Sequence, residues 1–232
     1  LAWIAIKEKK YEKAEEFIKL GNQATQGKWQ VKLKDGAITA GWVKIFQNDW
    51  EGAVKSFKSG NSLDSKCFYC RDGLARFYIA EAAKAAAKKD KEGAKKFYTK
   101  ALKEALSGAR AIRHNSGLVT LVDTALYGIA DKKTTIKTYT SLAKKWNTDP
   151  LYFAKLGYAQ LYAKDYKGAE TNFNKALVKQ PGYYLATSGL SAIKFTKREI
   201  VKDGWAYYYK GKYKDQQKSC EGKIEAAVAV KN

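Results

Sequence analysis

Residues that could carry chemistry are few in this sequence, and their spacing indicates no catalytic site. His114 is the only histidine among the 232 residues, so any serine–histidine–aspartate triad would have to use it. The sequence contains neither a Gly-x-Ser-x-Gly elbow nor a glycine-rich phosphate loop. Its carboxylates follow the ordinary spacing of helix surfaces. We therefore predict no catalytic residues, no cofactor and a function that is not enzymatic.

The three cysteines allow either a disulfide or buried thiols. Cys67 and Cys70 form a Cys-x-x-Cys pair, whereas Cys220 lies near the end of the chain. A zinc site would need all three cysteines and His114 from distant places, so we predict no metal site. In an exported chain, Cys67 and Cys70 would close a small disulfide loop at a helix start. In a reducing compartment they would be buried thiols, and we expect Cys220 to pack in the core in either case.

The charge of the chain is strongly positive, but its composition does not favour a nucleic-acid reader. Lysine and arginine number 44 against 23 aspartates and glutamates, which gives a net charge of +21. Only five of these basic residues are arginine, the side chain that pairs best with phosphates and base edges. Dispersed lysine predicts a solvated surface with weak attraction to polyanions such as acidic glycans, and no specific nucleic-acid binding. No stretch is long and apolar enough to predict a transmembrane segment.

The start of the sequence indicates processing. The chain contains no methionine and begins with leucine, which initiator-methionine trimming does not leave. A longer N-terminal segment is the explanation that we favour, and it predicts export to a periplasm, a cell surface or the extracellular space. A shortened chain from the cytosol is the alternative.

One segment of the chain carries a recognisable repeat unit. Residues 149–183 read DPLYFAKLGYAQLYAKDYKGAETNFNKALVKQPGY. Within it, Gly157 and Ala169 are small where the two helices of a hairpin would cross, and Pro181 would end the second helix. This pattern closely resembles the tetratricopeptide repeat (TPR), a helix–turn–helix unit of 34 residues. Gln160 is the main departure, because the family prefers tyrosine at that position.

Weaker copies of the unit cover most of the remaining chain. The position of Ala169 recurs, with other residue types in two copies, at Ala14, Ala53, Ala94, Thr135 and Gln216. Successive copies are 39, 41, 41, 34 and 47 residues apart, and the longer intervals predict extended helices such as one over 68–89. The resemblance implies an all-α fold, a right-handed α-solenoid of about six TPR-like helical hairpins that form a single superhelical domain over residues 1–232.

The resemblance also implies a binding groove. In TPR units the first helix lines a concave surface, with its ninth, twelfth and thirteenth positions tending to face the groove. Carried over to this sequence, that register predicts the groove residues Trp3, Trp42, Phe46, Tyr127, Tyr158, Tyr162, Trp205, Tyr208 and Tyr209. Two interpretations remain open. The aromatic residues are either anchors in a Lys-rich groove that binds a protein or peptide partner, or core between adjacent repeats.

The two ends of the chain predict a second mode of action. The sequence opens on the apolar run LAWIAI, and apolar residues continue almost to its end, so neither end resembles the polar cap of a soluble solenoid. Self-association would then join one end, at Leu1, Trp3 and Ile4, to the other, at Val228 and Val230. The primary prediction is a non-enzymatic interaction scaffold. The alternative is a structural subunit that assembles head to tail into an extracellular filament or an envelope-associated assembly.

Overall fold

The computed structural model describes residues 1–25, 30–113 and 115–196, and this part of the chain is helical without any β-strand. Its eleven helices are α1 (Ala2–Lys7), α2 (Tyr11–Thr25), α3 (Gln30–Phe46), α4 (Trp50–Leu63), α5 (Phe68–Ala87), α6 (Lys91–Ala111), α7 (Ser116–Ile129), α8 (Lys132–Lys145), α9 (Pro150–Tyr162), α10 (Tyr166–Lys179) and α11 (Tyr184–Thr196). The predicted all-α class is confirmed.

The helices belong to two compact units, residues 1–138 and residues 139–232, which divide within α8. In the first unit each helix from α1 to α7 packs against the next one, and the odd-numbered helices α1, α3, α5 and α7 also contact one another in succession. In the second unit α9, α10 and α11 all contact each other. The prediction of one continuous domain over residues 1–232 stays a prediction.

The turn inside a hairpin recurs with the same backbone conformation. A left-handed residue precedes the second helix, and the buried alanine of the repeat follows five residues later. These left-handed residues are Lys9, Asn48, Lys89 and Lys164. In three of the four turns an aspartate comes next and accepts a hydrogen bond from a glycine N–H in the first helical turn, at 2.8–3.0 Å. Each such cap is worth about 1 kcal/mol, so the sequence Asp-x-x-Gly specifies where the chain reverses.

Neighbouring hairpins pack through a buried phenylalanine that fits between two glycines. Phe57 lies against Gly41 of its own hairpin and against Gly73 of the next one. Phe173 repeats this contact with Gly157 and Gly189, again 16 residues before and after it. Both rings are fully buried.

The aromatic residue that follows the first glycine completes this contact. Trp42 meets the Phe57 ring edge to face with centroids 5.7 Å apart, and Tyr158 meets the Phe173 ring in the same way at 5.1 Å. The second and fifth copies of the repeat therefore have the same core, and the TPR-like hairpin is confirmed.

Replacing Gly157 or Ala169 with leucine is expected to destabilise the second unit by about 1–3 kcal/mol through overpacking. A Cβ on Gly157 would lie 2.6 Å from Cε1 of Phe173, and Ala169 has no exposed surface. Urea unfolding followed by circular dichroism measures the loss.

The matched control is Gly21→Leu in α2, where nothing lies within 4 Å of an added Cβ. This exposed change should leave the stability unchanged or raise it, because leucine is the better helix former. Wild-type stability in both Gly157→Leu and Ala169→Leu would contradict the packing described above.

Candidate binding groove

The first unit contains a groove of about 830 Å³ that four helices line. Its wall comes from α1, α3 and α5 and from the start of α7, which are the first helices of successive hairpins. The lining residues are Trp3, Asp35, Ile38, Thr39, Trp42, Phe68, Tyr69, Asp72, Arg76, Asn115 and Gly117.

The groove residues of neighbouring helices are related by the repeat length. In α3 they occupy positions 35, 38, 39 and 42, a spacing that places them on one helix face. Tyr69, Asp72 and Arg76 of α5 each follow a groove residue of α3 by 34 residues, the length of one TPR unit. The same helix face therefore lines the groove in consecutive hairpins.

Aromatic side chains form the apolar part of the wall. Trp3 is 49% exposed and Tyr69 is 53% exposed, although both are large residues. Phe68 lies beside Tyr69, with ring centroids 4.0 Å apart. Trp42 is partly buried, because one side of its indole packs against the core around Phe57. Trp42 therefore lines the groove and also packs against the core, and a role as an anchor for a partner stays a prediction.

The charged part of the wall consists of two aspartates and one arginine. Arg76 donates from Nε and Nη2 to the two carboxylate oxygens of Asp72, at 2.8 and 3.3 Å. Gly117 lies beside this pair, because an added Cβ would be in van der Waals contact with Nη2 of Arg76, at 3.8 Å. The Asp35 side chain is exposed and makes no hydrogen bond with a described residue, whereas its backbone carbonyl accepts one from the Thr39 hydroxyl at 2.8 Å.

The described lining of this groove includes no lysine, and the predicted lysine enrichment stays a prediction. The lysines of α3 with described side chains make ion pairs away from this lining. The ammonium of Lys34 lies 3.2 Å from Asp64, and that of Lys44 lies 2.9 Å from Glu15. The hydrogen bond to Glu15 raises the pKa of Lys44.

The other aromatic residues predicted for the groove lie elsewhere or outside the described residues. Phe46 does not line the groove and stacks parallel to Tyr11, with centroids 6.2 Å apart. Tyr127 is 88% exposed and also lies off the described lining.

In the second unit, Tyr162 is 70% exposed. Tyr158 is partly buried, and this burial, with a smaller contribution from Tyr184, raises the pKa of its hydroxyl. Three predicted groove residues lie outside the described residues: Trp205, Tyr208 and Tyr209.

Sequence reasoning missed most of the groove for two reasons. It considered only the ninth, twelfth and thirteenth positions of each first helix, whereas Asp35, Ile38 and Thr39 come earlier in α3 than Trp42 at the ninth. It also aligned the copies on the alanine of the second helix, and α5 and α6 are both longer than the family's helices. They have 20 and 21 residues, against 13 and 14 in α9 and α10. Seven extra residues move the alanine relative to the groove face. Counting 34 residues forward from Asp35, Ile38 and Trp42 would have found Tyr69, Asp72 and Arg76.

The Cys67–Cys70 pair is a disulfide in this structure, with an S–S distance of 2.06 Å. Cys67 is the N-cap of α5, directly before the groove residue Phe68. Both cysteines are buried in the cluster that includes Phe57, and Gly60 of α4 packs against the Cys70 sulfur. The disulfide therefore cross-links the first turn of α5, and both of its sulfur atoms lie in the core beneath the groove.

Other predicted sites stay predictions. His114, Cys220, Val228 and Val230 lie outside the described residues. Within the described ranges, no three histidine, cysteine or acidic residues are grouped to hold a metal ion. None of the helices in those ranges combines the length and the apolar character that crossing a membrane requires.

Comparison with known proteins finds similarity to solved structures at low sequence identity. No family model and no curated protein matches the chain. YrrB, described as a TPR protein with an unusual peptide-binding site, is 16% identical at a TM-score of 0.47, over 76% of this chain and 83% of its own. MamA is 15% identical at a TM-score of 0.45, over 78% of this chain and 96% of its own. A thermophilic TPR protein of Thermus thermophilus, TTC0263, is 14% identical at a TM-score of 0.46, over 83% of this chain and 95% of its own.

The fold is TPR-like. The features that make it so are the helical hairpins, the 34-residue relation between groove residues and the repeated phenylalanine–glycine packing.

A Cys220→Ser variant should contain no alkylatable thiol before reduction and should gain two after it, measured by mass spectrometry. Reduction is expected to lower the free energy of unfolding of the first unit by about 2 kcal/mol, because the loop closed by Cys67 and Cys70 is short. Two alkylated cysteines in the unreduced, folded protein would contradict the disulfide and favour a reducing compartment.

Proposed function

We propose that this chain is a non-enzymatic scaffold that binds a short peptide segment of a partner protein in the groove of the first unit. The observation that carries the proposal is the wall of Trp3, Trp42, Phe68 and Tyr69, brought together from three helices. Half-exposed tryptophan and tyrosine side chains at the centre of a groove are the residues that most often dominate binding energy at protein interfaces.

The dimensions of the groove support a peptide as the ligand. A volume of about 830 Å³ holds several side chains but not a folded domain. The open indole of Trp3 and the phenol ring of Tyr69 offer apolar surface that a bound side chain would cover. Asp35, Thr39 and Asn115 add polar groups on the same wall, which can fix the orientation of a peptide backbone.

The rigidity of the wall supports the proposal as well. The aromatic residues lie on helices and not on loops, and the disulfide fixes the start of α5, where Phe68 and Tyr69 lie. A preformed wall loses little conformational entropy when the ligand binds, so a groove of this size can bind a peptide with useful affinity.

Head-to-tail assembly into an extracellular filament or envelope assembly is the second function that we propose. Leu1 is 81% exposed and Ile4 is 58% exposed on α1, whereas Val228 and Val230 at the other predicted contact lie outside the described residues. Weak contact with acidic glycans has a plausible location in the exposed lysines of α6, which include Lys95, Lys96 and Lys103. Export of the chain also stays a prediction.

Selection from a random 12-residue peptide library displayed on phage tests the proposal. Immobilised wild-type protein should enrich peptides with large apolar side chains. Trp3→Ala and Tyr69→Ala should each weaken the binding of these peptides by about tenfold or more, measured by fluorescence anisotropy with the synthetic peptides. Circular dichroism should remain unchanged, because both side chains are half exposed.

Tyr127→Ala is the matched control, because Tyr127 is the most exposed of the predicted anchors that the structure describes and lies outside the groove lining. It should bind the selected peptides like the wild type. Enrichment of no peptide, or equal losses in all three variants, would contradict binding in this groove.

A further inference from the structure

The charge of the groove is opposite to that of the chain. The whole sequence carries a net charge of +21, which by itself favours acidic partners. The groove lining, over the residues that the structure describes, includes two carboxylates and one guanidinium group. Its formal charge is therefore −1, in a protein where basic residues outnumber acidic ones almost two to one.

Asp35 is the source of this negative charge. Its side chain is exposed on the groove face of α3, and it makes no ion pair or side-chain hydrogen bond with a described residue. Other aspartates of the first unit are engaged: Asp49 and Asp90 cap helices, and Asp64 pairs with Lys34. Unlike these three carboxylates, that of Asp35 is exposed and has no partner among the described residues.

The second carboxylate of the groove is already neutralised. Both oxygens of Asp72 accept from the guanidinium group of Arg76, and the Asp72 side chain is only 14% exposed. The pair presents the remaining donors of Arg76 to the groove without a full positive charge, because the carboxylate lies within hydrogen-bond distance. An acidic ligand therefore gains less from Arg76 than it would from an unpaired arginine, whereas a basic ligand can pair with the exposed carboxylate of Asp35.

We propose that the groove selects peptide segments in which a large apolar residue is accompanied by lysine or arginine, and that Asp35 reads the basic residue. This inference rests on the proposed function, and it specifies the partner: an apolar, basic segment and not the acidic one that the net charge of the chain suggests. Trp3, Trp42 and Tyr69 bind the apolar side chain, and a cation near Trp3 also gains from the face of its indole.

Changing the ionic strength separates direct contact with Asp35 from the long-range electrostatic effect of the lysines elsewhere on the chain. At low salt the exposed lysines repel a basic peptide and attract an acidic one over a long range. At 0.15 M salt the Debye length is about 8 Å, so distant lysines are screened while direct contact with Asp35 persists. We therefore expect the groove to prefer basic peptides at physiological salt and not at low salt.

The test uses the same 12-residue library at 0.15 M salt, in parallel on wild type, Asp35→Asn and the Trp3→Ala/Tyr69→Ala double variant. Peptides that the double variant also enriches bind outside the groove and are removed. The remaining wild-type peptides should contain more lysine and arginine than aspartate and glutamate, and Asp35→Asn should lose this excess while still enriching apolar peptides.

Synthetic forms of the most enriched peptide give the affinity, with its basic residues kept, replaced by glutamine, or replaced by glutamate. The basic form should bind the wild type about two- to fivefold more tightly than the glutamine form, the range of an exposed ion pair. Asp35→Asn should remove the difference, and Asp35→Glu should restore it. Glu16→Gln makes the same charge change on an exposed residue of α2 outside the groove lining, and it should keep the difference.

The outcomes distinguish the two proposals. Enrichment of apolar peptides without a basic excess, or an equal preference in wild type and Asp35→Asn, overturns the role of Asp35 and leaves peptide binding standing. An acidic excess overturns the inference directly. Failure to enrich any peptide that depends on Trp3 and Tyr69 overturns the proposed function, and the inference with it.

Discussion

Two buried phenylalanine rings, Phe57 and Phe173, set the distance between neighbouring hairpins. Each ring occupies the space that a side chain would fill on the glycines 16 residues before and after it. The first helices of adjacent hairpins can therefore approach on either side of one ring, at the close distances that small residues allow. In the first unit the outer surface of this helix layer is the groove wall. Trp42 links the two, since it packs edge-on against Phe57 while lining the groove.

Charge is distributed unevenly over three consecutive helices of the chain. The second helix α6 carries six basic residues against two acidic ones, and α8 carries five lysines and no acidic residue. By contrast, the first helix α7, whose start lines the groove, contains a single charged residue, Asp123. The positive charge of α6 and α8 is therefore carried outside the described groove lining.

The fold could be predicted from the sequence because the same packing contacts recur from one copy of the repeat to the next. The structure places Gly157 against Phe173, buries Ala169, and ends α10 two residues before Pro181, as the sequence predicts. In the groove, sequence reasoning predicted Trp3 and Trp42 at the ninth position of their helices and missed the earlier positions of α3. Sequence spacing could not reveal that Lys34 and Lys44 make ion pairs away from the groove lining, because their partners Asp64 and Glu15 come from other helices. Sequence spacing also could not show that Asp35, among the exposed aspartates, lines the groove.

The lengthening of α5 and α6 shows how such a fold can change its size without changing its contacts. Each helix exceeds its counterpart in the fifth repeat by seven residues, which adds about 10 Å. Seven residues are nearly two full turns, with a rotation of only about 20° left over. Side chains beyond the addition therefore keep the directions they had before it. Insertions of seven should be neutral steps in the evolution of this hairpin, whereas insertions of two or five would rotate its apolar stripe towards water.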